Sequence, residues 1–337
     1  MKKNIFILLL LFALFVISYL ITKKDVEKPD FRGFGWYGYL TDDKLNEETI
    51  ERIKKLGGDS VNINVYYEYD PQNRSFILKS NLTRIEENIA LAHQNNLKVF
   101  LSPFINLVGG HYLANAIDDD VKEYLYGARN ISLELAHFSE NNGVELYGIW
   151  NELGLSLSQL PNSTNVVNDW LQNTRIEVEK IYDGYITTKE GVQIEVYKEY
   201  DFSGFDYIGV TFYPSTESCY TDTFNNMTFC GVESLEEYEE VVKEEYRNLI
   251  ELKQKFRNKG IVLGEIGIDV VGGNFVGTDD TSKQIRTDAY KILLVSGENK
   301  IDGFFFSKFE YDDGGSKELD KVFGVFFKND KYAYYPT

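Results

Sequence analysis

Several kinds of chemistry are missing from this chain. Its 337 residues contain only three histidines, and none stands at the spacing that metal ligation needs, which speaks against a metallohydrolase. No Gly-x-Ser-x-Gly elbow occurs, which disfavours a serine hydrolase. Gly33-Phe34-Gly35-Trp36-Tyr37-Gly38 has its glycines at the wrong spacing for a phosphate-cradling turn, so the opening of a doubly wound open sheet is absent too. Basic residues are outnumbered, 35 against 53 acidic, for a net charge of −18. That balance lacks the basic face a nucleic-acid partner requires and the cationic patch that would hold a protein on anionic lipid headgroups. There is no internal repeat and no low-complexity region.

The first thing present is an N-terminal signal. Lys2 and Lys3 precede an apolar run over residues 5–21, and Lys23 and Lys24 follow it before a polar linker to Asp30. A charged start and an apolar stretch make an export signal, and the run falls within the spanning range of roughly 17 to 25 residues. No small-x-small cleavage site precedes Lys23, and there is no lipobox cysteine. An uncleaved membrane anchor is therefore expected over a cleaved peptide. Residues 1–29 read as signal peptide or anchor plus linker, and 30–337 as one domain, outside the cell membrane or secreted.

The cysteine usage agrees with export. Cys219 and Cys230, the two in the chain, lie in a polar stretch without periodicity that reads as a loop. A cysteine pair in an exported chain is best read as a disulfide, with free thiols as the alternative. Triplets beginning at Asn73, Asn81, Asn130, Asn162 and Asn226 match the glycosylation acceptor pattern and are compatible with an exported surface.

From residue 30 onward strands alternate with helices, which points to a parallel sheet. Strands are predicted at 33–37, 60–66, 98–106, 145–151, 183–188, 207–213, 261–267 and 303–309, with Pro103 marking the end of the third. Helices are predicted at about 46–56, 82–95, 121–141, 165–181, 235–258 and 282–296. Eight strands in this order fit an α/β fold of the (β/α)8 TIM-barrel type. Aromatic residues make up 15% of the chain, and most are expected to pack in the core.

Two of the apolar strands end in a carboxylate: Gly148-Ile149-Trp150-Asn151-Glu152 and Leu263-Gly264-Glu265-Ile266-Gly267. The C-terminal ends of barrel strands are where such folds keep their chemistry. Two carboxylates on opposite sides of the mouth are the minimum equipment for breaking a glycosidic bond. Trp150 and Leu153 are placed to supply an apolar setting that keeps Glu152 protonated. The bland readings are a carboxylate favoured by a helix N-terminus for Glu152, a buried structural carboxylate for Glu265, and a helix cap for Asn151.

Trp150-Asn151-Glu152 at the fourth strand and Gly264-Glu265 at the seventh resemble the paired signature of clan A glycoside hydrolases. Arg32-Gly33-Phe34-Gly35-Trp36, Asp59-Ser60-Val61-Asn62-Ile63 and Ala92-His93-Gln94-Asn95-Asn96-Leu97-Lys98-Val99 are similar to glycoside hydrolase family 113, the retaining β-mannanases. Families 5 and 53 of the same clan share the layout. The resemblance spans the chain from Phe31 onward. It implies Glu152 as acid/base, Asn151 on the sugar 2-hydroxyl, Glu265 as nucleophile, and Tyr213, in Val210-Thr211-Phe212-Tyr213-Pro214, as its hydrogen-bond partner.

The sequence departs from that pattern at two places. Phe304-Phe305-Phe306-Ser307-Lys308-Phe309 has no tryptophan at the eighth strand. No arginine stands near the ends of strands two or three, only Asn62, Asn64 and Tyr66. Trp36, Asn106 and Lys308, at the ends of strands one, three and eight, are further candidates for touching sugar; His111 follows strand three, and Trp170 reads as core.

The expectation is a monomeric retaining glycoside hydrolase on a β-mannan or β-glucan type of substrate. It would use a double displacement and need no cofactor and no metal. Two alternatives share these residues: a non-catalytic carbohydrate-binding scaffold on the same barrel, and a transglycosylase.

Overall fold

A computed structural model describes residues 30–36, 45–108, 111–112, 121–158, 160–191, 198–214, 218–222, 227–231, 234–257, 259–268, 280–297 and 301–306. The predicted anchor over 5–21 and Lys308 lie outside these residues. Among the described residues no helix is long and apolar enough to cross a membrane.

Helix starts follow the expected capping chemistry. Asn46 accepts from the Thr49 amide ahead of α1 (Glu47–Leu56), and Gly57, at φ 92°, closes it in the left-handed conformation. Asn81 caps α2 (Leu82–Gln94) in the same way. Ser234 caps the charged helix Leu235–Lys255.

The barrel strands are β1 (Phe31–Trp36), β2 (Ser60–Asp70), β4 (Lys98–Leu107), β6 (Leu146–Asn151), β7 (Tyr185–Lys189), β8 (Tyr207–Phe212), β11 (Gly260–Ile266) and β12 (Gly303–Phe306). Between them lie β3 (Ser75–Leu78), β5 (His111–Tyr112), α3 (Val121–Asn141), a one-turn α4 (Leu153–Ser156) and α5 (Ser163–Val178). The hairpin strands β9 (Ser218–Asp222) and β10 (Met227–Gly231), then α6 (Leu235–Lys255) and α7 (Asp280–Ser296), complete the order. All neighbours around the ring are parallel, running from β7 through β6, β4, β2, β1, β12 and β11 to β8.

A parallel bridge from Glu190 to Val210 joins the two ends of this sheet. Around it the Glu190 amide donates to the Gly209 carbonyl at 3.2 Å, and the Thr211 amide donates to the Glu190 carbonyl at 2.8 Å. These bonds close the ring between β7 and β8.

Among the described residues, two apolar layers fill the barrel and its surround. The larger packs the outer face of the barrel against the helices; there Trp150 meets Trp170 edge-on at 5.7 Å, and Trp170 is core as expected. The smaller, Phe31, Phe100, Leu146, Tyr207, Val262 and Phe305, plugs the barrel from within. Side chains above this plug, toward the C-terminal strand ends, form the floor of the mouth.

Three expectations change. Pro103 does not end its strand, for β4 runs on to Leu107 and still pairs with β2. Lys98 donates its amide toward Asp59 on the β2 side, so by alternation the nitrogen of residue 103 faces β6, whose pairing with β4 stops at Leu101. The missing N–H therefore costs no ladder bond. Second, β2 extends past the barrel into an antiparallel hairpin with β3, raising a wall above the mouth. Third, the cysteine stretch is no loop: β9 and β10 pair antiparallel with Cys219 opposite Cys230 in register. The side chains that would form the expected disulfide lie outside what the structure describes.

The β7–β8 seam leaves no room for a side chain at residue 209. A Cβ there would sit 1.8 Å from the Thr188 carbonyl oxygen and 2.4 Å from Thr187 Oγ1. Gly209→Ala should lower stability by about 2 kcal/mol or more, read as a lower urea midpoint with an unchanged slope; a midpoint equal to wild type would contradict this closure.

Candidate active site

Glu265 reaches the mouth through a break in the strand's alternation. Along β11, Val262 faces the inner plug and Leu263 the outer layer. The register on β8 then slips, Leu263 opposite Val210 but Glu265 opposite Thr211, so Gly264 is an extra residue. Such a bulge re-aims the following side chain, and Glu265 turns inward after Gly264 instead of outward. Asn62 Nδ2 holds the Gly264 carbonyl at 3.0 Å. Gly264 has to be small, because a Cβ would lie 3.0 Å from both Lys189 Cδ and Phe100 Cε1.

The carboxylate of Glu265 is gripped at both oxygens. Tyr213 donates from its hydroxyl to Oε1 at 2.7 Å, and the Lys189 ammonium lies 3.3 Å from Oε2. Tyr213 thus stands where the sequence places it. Lys189 is not among the residues that the strand-end pattern picks out. It comes from β7 and is fully buried.

A second break in β6, between Gly148 and Asn151 in the pairing with β7, precedes Glu152. Glu152 itself adopts a left-handed backbone, φ 54° and ψ 43°, which is unusual for a residue with a side chain. Its amide donates to the Lys189 carbonyl at 2.7 Å, and its own carbonyl accepts from the Ser156 amide and hydroxyl. The side chain does not cap α4, as the helix-terminus reading would have it. Instead Glu152 Oε1 accepts from Thr211 Oγ1 at 2.9 Å. Thr211 is the ladder partner of Glu265, so one threonine sits beside one glutamate and holds the other.

Trp150 does not provide the apolar setting expected of it. Its ring points to the helices, against Trp170 and Tyr124. The chemical neighbour of Glu152 is another carboxylate, Glu190, which is fully buried. Glu190 Oε2 accepts from the Gly154 amide at 2.9 Å and Oε1 accepts from Thr188 Oγ1 at 3.0 Å, so it anchors the start of α4 just after Glu152. Burial pushes the Glu190 carboxyl up to about 7, and the nearby Glu152 charge pushes in the same direction.

The other candidates fall out unevenly. Asn151 is buried, and its Oδ1 has no partner among the described residues, so it does not cap the helix. Asn106 stands in the raised part of β4, opposite Glu68 of β2; there the Tyr66 hydroxyl donates to Glu68 Oε1 at 3.2 Å, and the Tyr66 ring lies tilted against Phe104 at 6.2 Å in the same wall. Trp36 ends β1 opposite Ile63, and its side chain is outside the described atoms, as is that of His111. Lys189 and Glu190 are what sequence reasoning missed. Their only signal was position, at the end of the barrel strand with the least apolar sequence, Tyr185-Ile186-Thr187-Thr188-Lys189.

Among solved structures the barrel resembles a GH113 β-1,4-mannanase, with 16% identity over 89% of this chain and 99% of the other, TM-score 0.65. It also resembles the GH113 β-mannanase AaManA from Alicyclobacillus acidocaldarius, at 14% identity, 89% and 98% coverage and TM-score 0.61. A GH5-4 broad specificity endoglucanase from Bacteroides salanitronis matches at 14% identity, 88% and 93% coverage and TM-score 0.59. The chain has the fold of these enzymes. The resemblance carried by its motifs points to the same group. No protein-family model matches the sequence, and no curated protein does either.

Glu190 gives the site a measurable signature. Its folded value of about 7 lies above the ordinary 4.5. The folded state therefore holds this proton more tightly, and stability is lost as pH rises from about 4.5 to about 7. The loss is about 3 kcal/mol by linkage. Glu190→Gln should remove that slope, so the variant should gain on wild type between pH 5 and 8 in denaturant titrations; parallel curves would contradict the burial of this carboxyl.

Proposed function

We propose that this protein is a retaining glycoside hydrolase acting on a β-linked polysaccharide of the mannan or glucan type. The observation that carries the reading is the bracketing of Glu265 by Tyr213 and Lys189, with Glu152 tied to the same two strands through Thr211 and the Lys189 carbonyl. Two carboxylates from non-adjacent strands are thereby directed at one mouth. The fold shared with β-mannanases and endoglucanases supports the substrate class.

In this mechanism Glu265 attacks the anomeric carbon while the protonated Glu152 gives its proton to the departing glycosidic oxygen. The glycosyl–enzyme ester is then cleaved by a water molecule, whose proton returns to Glu152. Such a retaining pair works at a carboxyl separation of about 5 to 5.5 Å. Asn151, whose buried oxygen has no partner among the described residues, is assigned to the sugar 2-hydroxyl. Asn106, on the wall raised by β2 and β4, is assigned to a neighbouring sugar, as are Trp36 and Lys308 from strands one and eight. The chain acts as a monomer, held by its N-terminal segment on the outer side of the cell membrane.

The test is hydrolysis by the full-length chain in detergent against β-mannan, β-glucan and β-galactan. Glu152→Gln and Glu265→Gln should each lose at least about 100-fold in kcat while keeping the wild-type melting temperature. Product released with retained anomeric configuration is expected by proton NMR. Inverted product, or wild-type rates in either variant, would overturn the reading.

A further inference from the structure

We propose that Lys189 is a positioning residue for both glutamates. Its ammonium sets the direction and the charge of the Glu265 carboxylate, and its backbone carbonyl fixes Glu152. The inference rests on the retaining reading given above.

Lys189 is the one fully buried cationic side chain among the described residues. A buried ammonium is strongly unfavourable unless it is paired and hydrogen-bonded. Here Nζ lies 3.3 Å from Glu265 Oε2 and 3.4 Å from Asn64 Oδ1, an oxygen that also accepts from Ser102 Oγ at 3.0 Å. With Tyr213 on Oε1, each oxygen of Glu265 has its own donor, so the carboxylate plane cannot turn freely. The lysine stem crosses Gly264 with room for no side chain there: a Cβ would lie 3.0 Å from Cδ and 3.1 Å from Cγ. Meanwhile the Lys189 carbonyl takes the Glu152 amide at 2.7 Å, which holds the left-handed corner that aims Glu152.

Charge makes the same point. A nucleophile must enter the reaction as the anion, and like charges nearby oppose that. Among the described residues, the groups placed around Glu265 are Glu152 after β6, Lys189 on β7, Thr211 and Tyr213 on and after β8, and Asn64 and Ser102 on β2 and β4, with Glu190 behind Glu152. Two of these are carboxylates and four are neutral. Among the described residues Lys189 is the cation that offsets the carboxylates, and it reaches Glu265 from barrel strand five, where strands two and three supply an amide and a hydroxyl.

The experiment compares full-length wild type, Lys189→Met and Lys189→Gln, with Glu265→Gln to assign the signal. Carbon-13 NMR of labelled glutamate carboxyls reads the Glu265 titration directly, whether or not substrate is turned over. The midpoint should rise by about one unit or more in both variants. On whichever polysaccharide the wild type cleaves, kcat should fall at least about tenfold with KM little changed, and the acidic limb of the profile should move up by the same amount. An unmoved midpoint in a folded variant overturns the inference, and so does an unmoved acidic limb with wild-type kcat. If neither variant folds, the wild type decides: a Glu265 midpoint at or below the ordinary glutamate range, despite the carboxylates nearby, supports the role, and a midpoint above that range overturns it. A wild type that cleaves nothing, with the midpoint still shifted in the variants, overturns the hydrolase reading and leaves the role of Lys189 supported.

Discussion

Everything at the mouth depends on the seam between β7 and β8. The sheet has to close somewhere, and here it closes through the backbone of Glu190, paired to Gly209 on one side and Thr211 on the other. That single bridge places three chemically different groups within one layer. Lys189, just before it, points its side chain under Glu265. Glu190 points its carboxylate at the start of α4 behind Glu152. Thr211, across the seam, holds Glu152 by its hydroxyl. A ring left open at this seam would let the two glutamates drift independently, since they stand on strands that do not touch.

The second constraint is irregularity. Both candidate catalytic residues follow a slip in the ladder, one in β6 and one in β11. Regular alternation would send Glu265 outward into the helix layer, where a carboxylate is costly. The bulge at Gly264 turns it inward, and the left-handed backbone of Glu152 does the corresponding work at the end of β6. Each departure is unfavourable locally and is held by named bonds: Asn62 to the Gly264 carbonyl, and Lys189 to the Glu152 amide.

These features explain what the sequence could and could not disclose. The alternation of strands and helices was legible because apolar runs and capping residues are local signals; α3 spans residues 121–141, the range that periodicity indicates. Glu152, Glu265 and Tyr213 were legible because they sit at strand ends. Lys189 and Glu190 were not, because a Lys-Glu pair after two threonines looks like a solvated turn, and only closure of the ring buries it. Pro103 misled for a related reason: whether a proline ends a strand depends on which neighbour its nitrogen faces. The β2–β3 hairpin and the β9–β10 pairing were missed because β3 is four residues long and largely exposed, β9 and β10 carry no long apolar run, and pairing between strands is not written in either strand alone.

The account's central claim is that Glu265 forms a covalent bond to sugar with Glu152 assisting. The most direct measurement is peptide mapping by mass spectrometry after incubation of the full-length protein with slow-turnover fluorosugar inactivators of the gluco and manno series. The account predicts a single glycosyl adduct, on the peptide carrying Glu265, absent from Glu265→Gln. An adduct on a different residue, or turnover of polysaccharide with no adduct and inverted product, would contradict it.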